Sequence, residues 1–225
     1  EVARAIGTDN RIGSKFLDSG PGFGGSCFKK DILNLVYLSN YFGLPEVAEF
    51  WEGIVKLNNW HQHRISKLIV KKLFGTVSGK KICILGFAFK ANTNDTRESA
   101  AIQICKDLLD EGADLYIHDP KVSCQQIEID LGIKQTSLGE ENKMKSKNIS
   151  KGNWFSVDNH LEAFENVDAV LILTEWSIYK DINWNNIANK MRKPGWVFDA
   201  RSITLKETIK KAGLNAWRLG DGVLD

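Results

Sequence analysis

Apolar residues recur at spacings of three and four through the first third of the chain, a helical period. Asp31 to about Phe42 carries Ile32, Leu33, Leu35, Val36 and Leu38 at such spacings. Pro45 then suits the entry of a second helix, because its fixed φ and missing N–H cost nothing in a first turn. That helix is expected from Glu46 to about Phe74, with Val47, Phe50, Trp51, Ile54, Leu57, Ile65, Leu68, Ile69 and Leu73 on its apolar stripes. At 1.5 Å per residue it is about 44 Å long, more than one small domain covers. A spine between two domains or a dimer interface follows; a core helix kinked near Asn58–Asn59 is the alternative.

After Lys80 the pattern changes to short continuous apolar runs alternating with helices. Strands are expected at Lys81–Leu85, Leu115–Asp119, Ala169–Leu173 and Trp196–Asp199, with a possible edge strand at Asn215–Leu219. Helices are expected at Ser99–Glu111, Asn159–Asn166, Asn185–Met191 and Leu205–Ala212. Strands without polar alternation, separated by helices, predict a doubly wound parallel sheet buried on both faces. Residues Gly132–Gly152, rich in Lys, Ser, Asn and Glu, have no periodicity and read as a surface loop. The chain thus divides into a helical region, 1–76, and an α/β region, 77–225.

Composition changes this picture little. The 225 residues are 43% hydrophobic and 26% charged, with a net charge of +2, so nothing points to a nucleic-acid or membrane-surface partner. No apolar run reaches the ~20 residues of a membrane span. The opening Glu1-Val-Ala-Arg-Ala-Ile is charged and amphipathic and lacks an initiator Met, as expected of a fragment beginning inside a helix. Cys27, Cys83, Cys105 and Cys124 form no Cys-x-x-Cys and have no His at metal spacing. Free thiols in a reducing, cytoplasmic compartment and no metal site are therefore expected.

The strongest chemical signal is Gly20-Pro-Gly-Phe-Gly-Gly-Ser-Cys-Phe-Lys-Lys-Asp31. A glycine run at a helix start lets backbone N–H groups approach a polar ligand. Cys27 is expected in the first helical turn, where the helix dipole, Lys29 and Lys30 favour its thiolate. Asp31, four residues on, shares its face and can orient a water or hold a proton. An inert loop thiol is the equal alternative. A second signal is Gly86-Phe-Ala-Phe-Lys90 with Asp95-Thr-Arg-Glu-Ser99, following the first strand of the sheet. It is not a G-x-G-x-x-G, so a standard dinucleotide site is not expected there. Lys90, Arg97 and Arg201 all follow strands and can converge on one diphosphate; solvated surface charge, with Asp95 or Ser99 capping the next helix, is the alternative. His61 and His63 point to different sides of the long helix, and packing is expected of them and of His118. Asp119, at a strand end, is a candidate for a ribose hydroxyl.

Taken in order, Glu1–Gly7, Gly22–Asp31, Gly86–Lys90, Asp95–Ser99, Asp119-Pro-Lys121 and Phe198-Asp-Ala-Arg201 resemble the UDP-glucose 6-dehydrogenase family, its animal-type members most closely. The resemblance covers nearly the whole chain apart from Gly132–Gly152. It implies a long central dimerisation helix followed by a Rossmann-like, UDP-sugar-binding parallel-sheet domain. It also implies oxidation of UDP-glucose to UDP-glucuronate with two NAD per sugar, through a cysteine thiohemiacetal and thioester. By this resemblance Cys27 is the nucleophile and Asp31 handles protons or activates water. Arg11 reaches the substrate of a neighbouring subunit. The loop of Phe16, Leu17, Asp18, Ser19, Gly20, Pro21, Gly22, Phe23 and Gly24 wraps the sugar nucleotide. Phe89, Lys90 and Arg201 bind UDP, while Cys27, Phe28, Lys29, Lys30 and Arg97 lie near the nicotinamide cofactor. A homodimer through the long helix is implied, with higher assembly open. Two departures stand out. Asp18 replaces a substrate-contacting lysine, and the family's N-terminal NAD-binding domain has no counterpart here, so this chain alone is expected not to turn over. Dehydrogenases of UDP-N-acetylmannosamine or GDP-mannose are the nearest alternatives, and a non-catalytic sugar-nucleotide-binding or assembly module or a redox sensor the more distant ones.

Overall fold

The computed structural model describes residues 1–14, 17–136 and 151–221. A short helix, α1 (Val2–Gly7), precedes the glycine-rich loop. Helices α2 (Phe28–Tyr41) and α3 (Pro45–Lys72) then pack side by side. α2 begins three residues earlier than its apolar periodicity suggests, and Cys27 is its N-cap, one step outside the first turn. α3 runs unbroken through Asn58 and Asn59. With 28 residues it is about 42 Å long.

The two ends of α3 meet different surroundings. Ile65, Ile69 and Leu73, toward its C-terminus, are almost fully buried in the same core as the sheet. Its N-terminal half and α2 leave Tyr37, Tyr41, Phe42, Phe50, Leu57 and Trp60 more than half exposed. The apolar stripes read from the periodicity therefore exceed what this chain covers by itself.

The sheet comprises β1 (Lys81–Leu85), β2 (Asp114–His118), β3 (Trp154–Ser156), β4 (Ala169–Ile172), β5 (Trp196–Asp199) and β6 (Asn215–Arg218). Their order is β3-β2-β1-β4-β5-β6 and every pairing is parallel. This is the doubly wound arrangement, whose order reverses beside the first strand and leaves a crevice at the carboxyl edge there. α4 (Ala100–Asp110), α5 (Cys124–Leu131), α6 (Trp184–Ala188) and α7 (Lys206–Lys211) complete it. The central strands are buried except for Lys81 at the start of β1, which explains their otherwise unbroken apolar character.

Three local expectations are corrected. Asn159–Asn166 is not a helix; only Glu162–Phe164 forms a single 3₁₀ turn, and Asn166 has a positive φ of 57°. α5 lies where no helix was expected; Ser123 caps it, accepting from the Gln126 N–H at 3.2 Å, and Gly132 ends it in the left-handed conformation. β3 lies just beyond the stretch read as loop, and Thr136, inside that stretch, donates its N–H to the Trp154 carbonyl at 3.0 Å. The remainder of that loop, residues 137–150, lies outside the described residues.

Candidate functional site

The glycine-rich loop lies across the carboxyl edge of the sheet, held from both sides. From α3, the Asn58 amide pairs with both backbone groups of one residue, Phe23. Its Oδ1 accepts the Phe23 N–H at 2.9 Å, and its Nδ2 donates to the Phe23 carbonyl at 3.2 Å. One turn on, His61 Nε2 lies 3.1 Å from the Gly20 carbonyl. From the sheet, the Arg97 carbonyl accepts the Gly25 N–H at 2.8 Å. Ser19 Oγ donates to the Leu219 carbonyl and meets Ser202 Oγ, both at 3.2 Å. Gly24 is required by contact, since a Cβ there would collide with the Glu98 carbonyl. From sequence Asn58 is a possible kink site and His61 a packing residue; the one signal of their hold on the loop is a polar position on the helix face turned toward it.

This loop delivers Cys27 to an exposed position at the head of α2, its Sγ 3.5 Å from Ser26 Oγ. Asp31 follows one turn later, its N–H donating to the Cys27 carbonyl at 2.8 Å. The other thiols differ. Cys83 and Cys105 are fully buried, and burial pushes both well above the ordinary thiol range. Cys124 is partly buried and is raised for the same reason. Phe28 is 55% exposed and edge-on to Phe23 at 4.7 Å. Lys29 pairs with Glu98 at 2.7 Å, a partner whose role the sequence did not suggest. On that flank a polar cleft of about 400 Å³ opens, lined by Lys29, Gln62, His63, Glu98 and Lys106 among others.

Facing the loop is the turn after β1. Gly86 has a φ of 93°, and a Cβ there would run into Thr174, so both conformation and space require glycine. The Phe89 ring lies against Gly25 and its Cβ against Gly24, and the Lys90 ammonium sits 5.3 Å from that ring's centre. Arg201 stands behind Phe89. Its Nη2 donates to the Phe89 carbonyl at 2.7 Å and its Nε to the Leu173 carbonyl at 2.8 Å, with Glu175 Oε2 3.2 Å away. Burial lowers the Arg201 pKa, and Glu175 opposes that shift. Nη1 is the nitrogen directed at the loop, lying 3.1 Å from where a Gly20 Cβ would stand. Most of this guanidinium thus braces the turn, and one nitrogen faces the crevice.

Arg97 forms a two-point pair with Asp95, at 2.9 and 2.7 Å, which holds the Asp95 carboxyl below its usual range. Lys90 adds to that lowering, so Lys90 and Arg97 flank the same carboxylate. Asp95 chiefly, and Cys27 after it, raise the Arg97 pKa, and the Arg97 backbone holds Gly25, two residues before the cysteine. Ser99 caps α4 and donates its hydroxyl to the Phe87 carbonyl at 2.7 Å. Asp119 is not open to a ribose; backbone amides take up both its oxygens. Arg11 is exposed and folded back onto Asp9 at 2.6 Å, while Asp18 is exposed on the loop and Lys30 beyond the cysteine. Phe16 lies outside the described residues. Among the described residues no group of His, Cys, Asp or Glu is arranged to hold a metal ion, and no helix is long and apolar enough to cross a membrane.

Two family models match the chain. The central domain of the UDP-glucose/GDP-mannose dehydrogenase family matches residues 1–60, and the UDP binding domain of the same family matches residues 83–206. The chain is 48% identical to a UDP-glucose 6-dehydrogenase of Gallus gallus over 90% of its own length and 40% of the relative's. It is 43% identical to UDP-glucose 6-dehydrogenase 4 of Arabidopsis thaliana over 98% of its length and 46% of the relative's. It therefore spans less than half the length of these curated relatives. Among solved structures, a UDP-glucose dehydrogenase from Pyrobaculum islandicum superposes with a TM-score of 0.68 at 26% identity, over 96% of this chain and 42% of that one. The cysteine loop strapped across a doubly wound sheet, the two matching models and these relatives agree: the chain belongs to the UDP-glucose/GDP-mannose dehydrogenase family.

Proposed function

We propose that this chain carries the nucleophile and the sugar-nucleotide half of an NAD-dependent enzyme that oxidises UDP-glucose to UDP-glucuronate. The observation that carries this reading is the juxtaposition of the Cys27 loop with the Phe89–Lys90 turn and Arg201 at the carboxyl edge of the sheet. There the exposed Lys90 and the Nη1 of Arg201 face a crevice floored by glycines, suited to a diphosphate. The loop from Leu17 to Gly24, with Asp18, Ser19 and Pro21, then covers the nucleotide and brings the sugar carbon to Cys27.

NAD does not fit the sheet in the usual dinucleotide manner, because the Phe87 and Ala88 amides after Gly86 are already bound by Asp119. Residues that suit it lie on the cysteine flank: Phe28, Lys29, Lys30 and Arg97. The Lys29 and Arg97 ion pairs are partly exposed and cheap to exchange for a phosphate or carboxamide contact. NAD bound there would supply the hydride acceptor for both oxidations, alcohol to aldehyde and thiohemiacetal to thioester, with each hydroxyl proton passing to solvent. The Cys27 thiolate adds to the aldehyde carbon and holds it first as a thiohemiacetal and then as a thioester. Asp31, one turn along α2, takes a proton from the water that attacks the thioester, and Cys27 leaves as thiolate.

The uncovered apolar faces of α2 and α3 suit a homodimer through the long helix, in which Arg11 leaves its exposed pair with Asp9 to reach the neighbouring subunit. We assign residues 1–76 to this dimerising region and 77–225 to the UDP-sugar domain. Four free cysteines suit a cytoplasmic protein. The test supplies the natural-length protein with NAD and, separately, UDP-glucose, UDP-N-acetylmannosamine or GDP-mannose. Two NADH per UDP-glucose, abolished in Cys27→Ser, is expected. Turnover of another sugar alone changes the substrate; turnover of none, with Cys27 alkylated no faster in the absence than in the presence of UDP, removes the reading.

A further inference from the structure

One carboxylate organises the turn that presents Phe89 and Lys90. Asp119, immediately after β2, accepts five N–H groups. Its Oδ2 takes Phe87 N–H at 2.7 Å, Ala88 N–H at 3.0 Å and the Trp176 indole N–H at 3.2 Å. Its Oδ1 takes the Lys121 and Val122 amides at 2.9 and 3.0 Å. In a dinucleotide-binding sheet the amides after the first strand face phosphate, and an acid about twenty residues on faces ribose. Here these two elements are bonded to each other. The β1–β2 half of the crevice is thereby closed to a nucleotide, and the ligand is left the β1–β4–β5 half.

The rest of the turn is held as firmly. Thr174 Oγ1 donates to the Ala88 carbonyl at 2.6 Å, Glu175 Oε1 accepts the Ala91 N–H at 3.1 Å, and the Phe89 N–H reaches the Asp95 carbonyl at 3.1 Å. Asp119 and Glu175 are the charged acceptors of this set, and Asp119 takes two of the turn's amides to Glu175's one; hydrogen bonds to a charged group are the stronger kind. Resting on the sugar-nucleotide reading above, we infer that Asp119 is a positioning residue for sugar-nucleotide binding: it fixes the Gly86–Lys90 turn so that Phe89 backs the cysteine loop and Lys90 meets the diphosphate. It touches neither substrate nor cofactor.

Asp119→Asn keeps one oxygen and sets an NH₂ group against two or three N–H donors, which loosens the turn. In the natural-length protein, KM for UDP-glucose is expected to rise about tenfold or more, the loss of one or two charge-assisted hydrogen bonds, while kcat stays within about threefold. A residue that only stabilises the fold lowers the active fraction, and so the apparent kcat, at unchanged KM; that result overturns the inference. Trp176→Phe removes a single donor to the same oxygen and serves if Asp119→Asn does not fold. A KM raised about twofold at unchanged kcat supports the inference, and an unchanged KM overturns it. Calorimetric titration of the wild-type protein with UDP separates the two readings. Absence of binding removes both, whereas binding and turnover with an unaltered Asp119→Asn KM removes this one alone.

Discussion

Replacing Asn58 with alanine tests whether the cysteine loop is held from the long helix. The change deletes both hydrogen bonds to the Phe23 backbone, at 2.9 and 3.2 Å, in a part-buried place. Two neutral hydrogen bonds contribute about 1 kcal/mol each, and the Phe23 N–H, left without a partner, adds to that. The loop keeps its Gly20 contact to His61 and its Gly25 contact to Arg97, so it is weakened and not released outright. A loss of about 2 kcal/mol raises the population of the detached loop about thirtyfold, at 1.4 kcal/mol per factor of ten. For a chain of this size the same loss lowers Tm by about 4–8 °C at most, so the protein remains folded at room temperature. Amide hydrogen exchange read by mass spectrometry on the peptide spanning residues 20–26 reports the loop directly. The expected outcome is exchange about thirtyfold faster there. Rates within about threefold of wild type refute the idea that Asn58 straps the loop.

Gly86→Ala should destabilise the chain by about 3 kcal/mol, because the new Cβ meets Thr174 and the backbone sits at a φ of 93°. A urea midpoint equal to wild type contradicts this. A pH effect follows from His118 and His160. Burial lowers both pKa values below the ordinary 6.5, and for His118 the neighbouring His160 lowers it further. Below that pH the unfolded chain takes up protons before the folded one, so stability is full above about 6.5 and falls as pH drops through the lowered values. Tm should therefore decline between pH 7 and pH 5, less steeply in His160→Asn; an unchanged slope in that variant excludes the pair as the cause.

Wherever one segment's own pattern was enough, the sequence alone determined the outcome. The long helix is legible because its apolar stripe repeats over 28 residues, and β1, β2, β4 and β5 because buried parallel strands carry unbroken apolar runs. The glycine-rich loop is legible as a loop because its glycines and Pro21 interrupt the helical period, which resumes just after Cys27. α5, with two buried residues, and the three-residue β3 were not legible. Segments so short are marginal in isolation, and contacts with β2 and α4 decide their state. The same limit governs the site. Lys90, Arg97, Arg201 and Asp119 all stand out as charged residues near strand ends, but their roles depend on their partners. Asp119 faces amides 31 and 32 positions earlier, and Arg201 braces a carbonyl 112 positions away. Only the tertiary structure brings those groups together, because a hydrogen bond is local in space and carries no signature along the chain.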